Sequence, residues 1–494
     1  MLVHALVALA LAVPAVPAPT PATGPAVDAA SIDAVVRAYR EVTRTPGVAV
    51  AVTRGRDVVH AAGYGRTADG TAVTDRTVMP IASLSKSITA LAVLRLVDAG
   101  RVRLDAPVRD HLPEFTMADS RAATLTVRQL LDHTSGMSDT TYRSFSGPRL
   151  RTLAEAVASM RTARLAADPG TRFEYHNPNY QVAARLVEVV GGEPFDVHLR
   201  RHVFSPLGMT DSRTVDTADD LPSPSRGHRM IAGAAVALPE PAAFGNGSGG
   251  VLSTARDLAA WLIAQHDQSR GAGTPLVSPA AVAELRRPSA LSSYALGWNV
   301  GETPSGAPLV DHTGDLITFT AYQAVLPATG HGVAVLANSG SQYGDAVDLG
   351  AQLVDLIEGR PVPSPASPTP LVAIDAVLLL CTVGVGVLAV RGVRRSRRWA
   401  EAHRPGPVAV ARLVPYLLPL PLLVTLHRVV GFLYRGRDVS WSQSAYLYPT
   451  FTLLLAAGSL AGVVVVVARL VRCVSAWRVR CPPGPAPRSC SRGR

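Results

Sequence analysis

The chain has 494 residues, 48% hydrophobic and only 17% charged, a balance expected when part of it lies in lipid. Its formal charge of +11 suggests nucleic acid, but residues 371–494 hold 17 Arg against three acids (Asp375, Glu401, Asp438), leaving 31 bases against 34 acids, net −3, in residues 1–370; a nucleic-acid footprint there is excluded. All four cysteines (Cys381, Cys473, Cys481, Cys490) lie in the C-terminal part, so the remainder has neither disulfides nor a thiolate metal site.

An apolar run from Ala5 to Val13, with Val16-Pro17-Ala18 as a small-residue cleavage site, predicts a signal peptide over residues 1–18. Residues 19–30, rich in Pro, Ala and Thr, read as a tether. An amphipathic helix follows from Ser31 to Arg44, then two strands, Gly47–Thr53 and Asp57–Tyr64. Ser83–Ala99 reads as an apolar helix ended by Gly100. Helical and loop patterns mix to about residue 290. Four strands are then expected, Tyr294–Val300, Pro308–His312, Thr318–Pro327 and Gly332–Asn338, before a helix over Asp345–Glu358. Strands at both ends with helices between predict one domain, residues 31–358, whose antiparallel sheet is built from both chain ends and covered by helices on its two faces.

Residues 359–370 contain PVPSPASPTP, a Pro-rich linker that in extended form spans roughly 30 Å between domain and anchor. Three apolar runs, 371–390, 407–426 and 446–468, are expected to cross a membrane; the second carries Arg412 near one end and Pro415, Pro419 and Pro421 within. Asp375 and Arg412 sit near span ends and read as snorkelling residues. Loop 391–404 holds six Arg and tail 469–494 seven, against three in loop 427–445. The positive-inside rule puts the first loop and the basic tail in the cytoplasm and the large domain outside. Membrane lipid is therefore an expected partner.

Ser83-Leu84-Ser85-Lys86 places a hydroxyl and an amine three residues apart on one helix face. Serine becomes a nucleophile when a base takes its proton, and lysine serves when burial and nearby positive charge lower its pKa. Composition sharpens the motif, because the chain has 47 Arg and one Lys, Lys86. Arginine supplies charge but cannot be deprotonated, so the one position that kept lysine is a position that needs a base. In FEYHNPNY, Tyr175 offers a phenol for proton transfer and Asn177 an amide for a substrate carbonyl or the lysine. His312-Thr313-Gly314 ends a predicted strand; the imidazole suits an acyl group, and Gly314 lets backbone approach it. His133, in LDHTSG, reads as structural, since no second metal-type residue stands at ligand spacing. GNGSGG (245–250) lacks the following lysine and the strand–helix context of a phosphate loop, and no GxSxG elbow is present.

The order and spacing of SxxK, YxN and HTG resemble the serine beta-lactamase and DD-peptidase superfamily, in its class C beta-lactamase-like branch, which includes carboxypeptidases, esterases and D-aminopeptidases. TVRQLLDHTSGM, FSPLGMTDS, GSGGVLSTARDLAAWL, YALGW and GHGVAVLANS carry the same likeness, over roughly residues 30–358. The resemblance implies an α/β fold, an antiparallel sheet flanked by helices; the three transmembrane helices expected from the apolar runs lie outside it. It implies Ser83 as acylating nucleophile, Lys86 with Tyr175 as the base pair, Asn177 contacting substrate, and His312, Thr313 and Gly314 lining the sheet-edge wall. The backbone N–H groups of Ser83 and Asp315 would form the oxyanion hole, with no metal or cofactor. His312 stands where many class C lactamases have lysine, and Asp315 begins a stretch that is usually Gly-rich. An acid there disfavours anionic substrates. The expected activity is cleavage of an amide, peptide or ester bond in a small-molecule or peptide substrate, by a membrane-anchored hydrolase outside the cell. A cell-wall sensor that acylates without turnover is the alternative; a transporter is disfavoured, since three spans carry no strong internal polar pair.

Overall fold

A computed structural model describes residues 27–147, 149–221, 226–266, 276–340, 344–404 and 406–480. The expected signal peptide, most of the tether and the end of the basic tail lie outside them. The strands among these residues are β1 (Gly47–Arg54), β2 (Asp57–Gly65), β3 (Met79–Pro80), β4 (Arg213–Thr214), β5 (Gly227–Ile231), β6 (Ala234–Leu238), β7 (Val251–Ser253), β8 (Asn299–Glu302), β9 (Pro308–Asp315), β10 (Thr320–Leu326) and β11 (His331–Ala337).

Six of them form an antiparallel sheet in the order β2-β1-β11-β10-β9-β8. Its centre joins the two ends of the domain, with Val48 opposite Ala337 and Val52 opposite Val333. Side chains on a strand alternate between faces, and the core follows that period. Ala49, Ala51, Ala334 and Leu336 face one layer with the helices Ser85–Asp98, Pro178–Gly191 and Ala255–His266. Val48, Val50, Val52, Val333 and Val335 face the other, under the helices Ala29–Thr43 and Ala346–Ile357. A two-faced sheet covered on both sides is the arrangement that nearly unbroken apolar strands require. β3, β7 and β4 form a small second sheet, and β5–β6 a hairpin.

One predicted strand is corrected. Tyr294–Val300 is mostly a tight turn, with only Asn299 onward in β8. Gly297 sits at φ +79°, and a Cβ there would lie 2.8 Å from the carbonyl oxygen of Lys86. The apolar YALGW run is thus buried as a loop pressed on the helix start rather than as a strand.

At the C-terminal end, Thr369–Arg394 and Pro449–Trp477 are long and apolar enough to cross a membrane. Pro407–Leu417 and Pro419–Leu433 make a third candidate only if a pair bent by 41° is one span. Its break falls in the expected proline run. The last helix begins at Pro449 rather than near Tyr446, because Pro449 forces Tyr448 out of helical backbone (φ −129°, ψ 62°). The Pro-rich linker does not hold the domain away from these helices. It lies against the Ala346–Ile357 helix, and Asp375 of the first apolar helix accepts the backbone N–H of Ala232, in the β5–β6 turn, at 2.8 Å.

Candidate active site

β3 delivers the chain to Ile81, whose N–H bonds to the Val251 carbonyl at 3.0 Å. Ala82 then takes φ +49°, a left-handed backbone rare for a residue with a Cβ, of the strained kind that clusters at functional sites. Ser83 follows in a single 3-10 turn, Ala82–Leu84, and the regular helix starts at Ser85, slightly later than the pattern predicts. Ser85 secures this start: its hydroxyl donates to the Ala82 carbonyl at 2.6 Å and accepts the Val251 N–H at 3.0 Å. The helix is buried nearly all round, as a central helix should be.

Lys86 has no exposed surface. Its Nζ lies 3.0 Å from Ser83 Oγ and 2.7 Å from the Ser248 carbonyl oxygen. The rings of Tyr175 and Tyr180 sit 4.8 and 5.7 Å from it. Burial holds the Lys86 pKa well below the usual range, and the like charge of Arg437 lowers it further. The amine therefore needs little to become a base. Tyr175 behaves oppositely: burial raises its pKa, against weaker lowering by its hydrogen bond with Ser83 and by Arg437. At rest its phenol keeps its proton.

His312 is buried on β9. Its Nδ1 lies 2.7 Å from the Thr313 carbonyl oxygen and its Nε2 2.9 Å from the Tyr294 hydroxyl. A ring nitrogen facing a carbonyl must carry the hydrogen, so Nε2 accepts from Tyr294. Burial first, then the Lys86 charge, push its pKa down to about 3, and the ring is neutral. Gly314 brings β9 against the nucleophile turn; a Cβ there would meet the Ile81 carbonyl oxygen at 2.6 Å and Ala82 Cβ at 3.1 Å. Thr313 and Asp315 are exposed on the same strand. The Asp315 carboxyl is raised to about 6 by surrounding protein and Asp345, with Arg229 opposing; its open position at the rim screens the effect.

Ser83, Asn177 and Asp315 line one cleft of about 140 Å³. Asn177 caps the Pro178–Gly191 helix with its backbone alone, and its buried Oδ1 has no hydrogen-bond partner among the described residues. A buried acceptor without a partner beside a cleft calls for an explanation. The lining also holds Asp216 and Glu240 and, among the described residues, no Lys, Arg or His. Glu240 is compensated by the Ile317 and Thr318 N–H groups at 2.9 and 2.8 Å, and Asp216 by the Asn246 amide at 2.7 Å. Asp315 is the exposed acid at the rim of this lining.

The sequence reading thus brings Ser83, Lys86, Tyr175, Asn177 and the 312–315 strand to one place. It missed three contributors. Ser248, from the GNGSGG run set aside as a failed phosphate loop, gives Lys86 its carbonyl. Tyr294, within a stretch expected to be a strand, donates to His312 Nε2, whose tautomer the Thr313 carbonyl sets. His133, fully buried at φ +60°, packs its ring 4.4 Å from that of Tyr175 and accepts the Asn179 amide at 2.9 Å. Outside the cleft, Glu193, His198 and His202 bring their ligand atoms within 4.8 Å of one another, an i, i+4 histidine pair that the sequence reading overlooked. Arg201 already pairs with Glu193 at 3.1 Å.

Comparison with known proteins shows the family and the fold. A family model described as Beta-lactamase matches residues 32–356. Penicillin-binding protein 4 of Amycolatopsis lactamdurans is 32% identical over 360 residues, covering 68% of this chain and 92% of that protein. Among solved structures, an octameric penicillin-binding protein homologue from Pyrococcus abyssi superposes with a TM-score of 0.58 at 24% identity, over 71% of this chain and 81% of its own. A class C beta lactamase from Rhodobacter sphaeroides gives 0.53 at 22% identity, over 66% and 98%.

Proposed function

The chain belongs to the Beta-lactamase family, and on that premise we propose that it is a serine hydrolase cleaving an amide, peptide or ester bond through an acyl-enzyme on Ser83. The observation that carries this reading is the Lys86 amine, buried and 3.0 Å from the Ser83 hydroxyl.

In the first step, neutral Lys86 takes the Ser83 proton as Oγ bonds to the substrate carbonyl carbon. The backbone N–H groups of Ser83 and Asp315 receive the oxygen that becomes negative. Protonated Lys86, through the neutral Tyr175 phenol, returns the proton to the leaving nitrogen or oxygen, and the old bond breaks. Water then attacks the acyl carbon, gives its proton to the same base, and Ser83 is regenerated. Lys86 is assigned the base and Tyr175 the relay because burial drives the amine toward neutrality and the phenol away from ionisation. Asn177 supports the substrate amide through its unpaired Oδ1.

The neutral His312 and the rim acid Asp315 favour a neutral or amine-bearing ester, amide or peptide over one ending in a carboxylate near β9. The apolar C-terminal helices support membrane anchoring, and the arginine distribution supports an external catalytic domain. A sensor that acylates without turnover is the second reading, supported by contacts between the catalytic domain and the apolar helices. An active-site serine probe applied to the intact chain should label Ser83, and Ser83→Ala should remove the label; labelling that persists in Ser83→Ala refutes both readings. Turnover of a neutral ester, a D-amino-acid amide, a D-Ala-D-Ala peptide and a penicillin separates enzyme from sensor.

A further inference from the structure

Residues 435–443 connect the second and third apolar segments; Trp441 and Val439 stay with the apolar helices, but Arg437, Asp438 and Gln443 reach the catalytic domain. Asp438 is only 8% exposed. Its carboxylate accepts the Phe145 N–H at 2.6 Å, the Ser146 N–H at 2.8 Å and the Ser146 hydroxyl at 2.6 Å. Arg437 pairs through Nε with buried Asp139 at 3.0 Å and donates from Nη1 to the Tyr175 carbonyl at 3.4 Å. Its guanidinium carbon stands 5.8 Å from the centre of the Tyr175 ring. Gln443 lines the same cleft as Ser83. The arginine count independently puts loop 427–445 on the side of the membrane where the catalytic domain lies.

We propose that this connection is a wall of the active site: Asp438 docks it on the domain, Arg437 is a positioning residue for Tyr175, and Gln443, whose amide oxygen already accepts the Ser440 N–H at 2.9 Å, offers its amide NH2 to a polar group of the substrate. The inference rests on the Ser83 hydrolase reading for its catalytic half, but the docking stands apart from it. A carboxylate taken out of water is costly unless donors replace its hydration, and Asp438 has three from the domain. Arg437 adds a fixed positive charge near the base pair, lowering the pKa of both Lys86 and Tyr175. The charged and titratable groups facing this arrangement are Asp139, Asp438 and His176 at the loop, with His133 and His312 beneath Lys86. A substrate must enter between this connection and the domain, so the excised domain would have a wider, altered cleft.

The test uses the intact chain in detergent. A Cβ at Gly436 would lie 3.2 Å from Thr140 Cγ2, within crosslinking reach, although the left-handed backbone there, φ +85°, strains any side chain. With Cys381, Cys473, Cys481 and Cys490 replaced by Ala, the pair Thr140→Cys and Gly436→Cys should crosslink on mild oxidation, and adding Asp438→Ala should reduce the yield. Failure of the crosslink, together with a melting temperature of the intact chain that Asp438→Ala leaves unchanged, overturns the docking, whatever the activity. Arg437→Ala should slow Ser83 acylation about tenfold and move its acid limb up by about half to one pH unit. Arg437→Lys should recover most of both. Acylation by Arg437→Ala with unchanged rate and pH profile overturns the positioning role. Absence of any Ser83 labelling in the unmodified chain sinks the hydrolase reading instead, leaving the crosslink to decide the docking.

Discussion

The Ser248 carbonyl oxygen lies 2.7 Å from Lys86 Nζ, and this contact points the amine at Ser83. A carbonyl accepts from an ammonium or an amine, so it orients the nitrogen without tying it to a carboxylate that would hold it charged. Burial then favours the neutral form.

Lys86→Arg keeps a cation and most of the volume but removes a releasable proton. Ester or amide hydrolysis by this variant is expected to fall about 10²- to 10⁴-fold in kcat/KM, the range of a lost general base. Its melting temperature separates this loss from misfolding.

Gly314→Ala adds a Cβ 2.6 Å from the Ile81 carbonyl oxygen, a backbone atom that cannot swing aside. β9 must move away from the nucleophile turn. About 1–3 kcal/mol of stability should be lost, read by thermal or denaturant unfolding, with a larger proportional loss of acylation rate.

These two positions mark what the sequence conveys and what it hides. The sheet is legible because Val48, Val50 and Val52 alternate with Ala49 and Ala51. The SxxK pair is legible because i and i+3 meet on any helix, and one lysine among 47 arginines singles it out. Ser248 and Tyr294 are not legible, since each acts through a contact across the fold, 162 residues from Lys86 and 18 from His312. The YALGW turn misleads because a buried loop can be as apolar as a strand. The Pro-rich linker misleads because composition gives its reach and not its docking site.

Tyr294→Phe leaves His312 Nε2 buried without its donor. A loss of about 1–3 kcal/mol is expected from the unpaired acceptor. Deacylation and acylation measured separately show which step needs the fixed imidazole.

His312 has a folded pKa of about 3 against 6.5 in the unfolded chain. Between these values the unfolded chain binds the extra proton, so folding stability falls as pH drops through that window. The slope for this one group approaches about 1.4 kcal/mol per pH unit, and buried His133 acts in the same direction. In His312→Gln, denaturant midpoints should fall less steeply between about pH 6 and pH 4 than in the unmodified chain; identical slopes contradict the buried neutral ring.

Asp315→Asn removes the exposed acid at the rim of the cleft. The ratio of kcat/KM for a carboxylate-bearing substrate to that for its neutral amide should rise about three- to tenfold. An unchanged ratio means that Asp315 does not face the substrate.

Because Lys86 is the one lysine of the chain, lysine labelled with carbon-13 at Cε reports on it alone. A pH titration of that NMR signal in the intact protein measures the amine directly, beside the pH profile of Ser83 acylation. A single transition well below the usual 10.5, coincident with the acid limb of acylation, is the predicted result. A lysine that stays charged to pH 10 while Ser83 is acylated at neutral pH would contradict it.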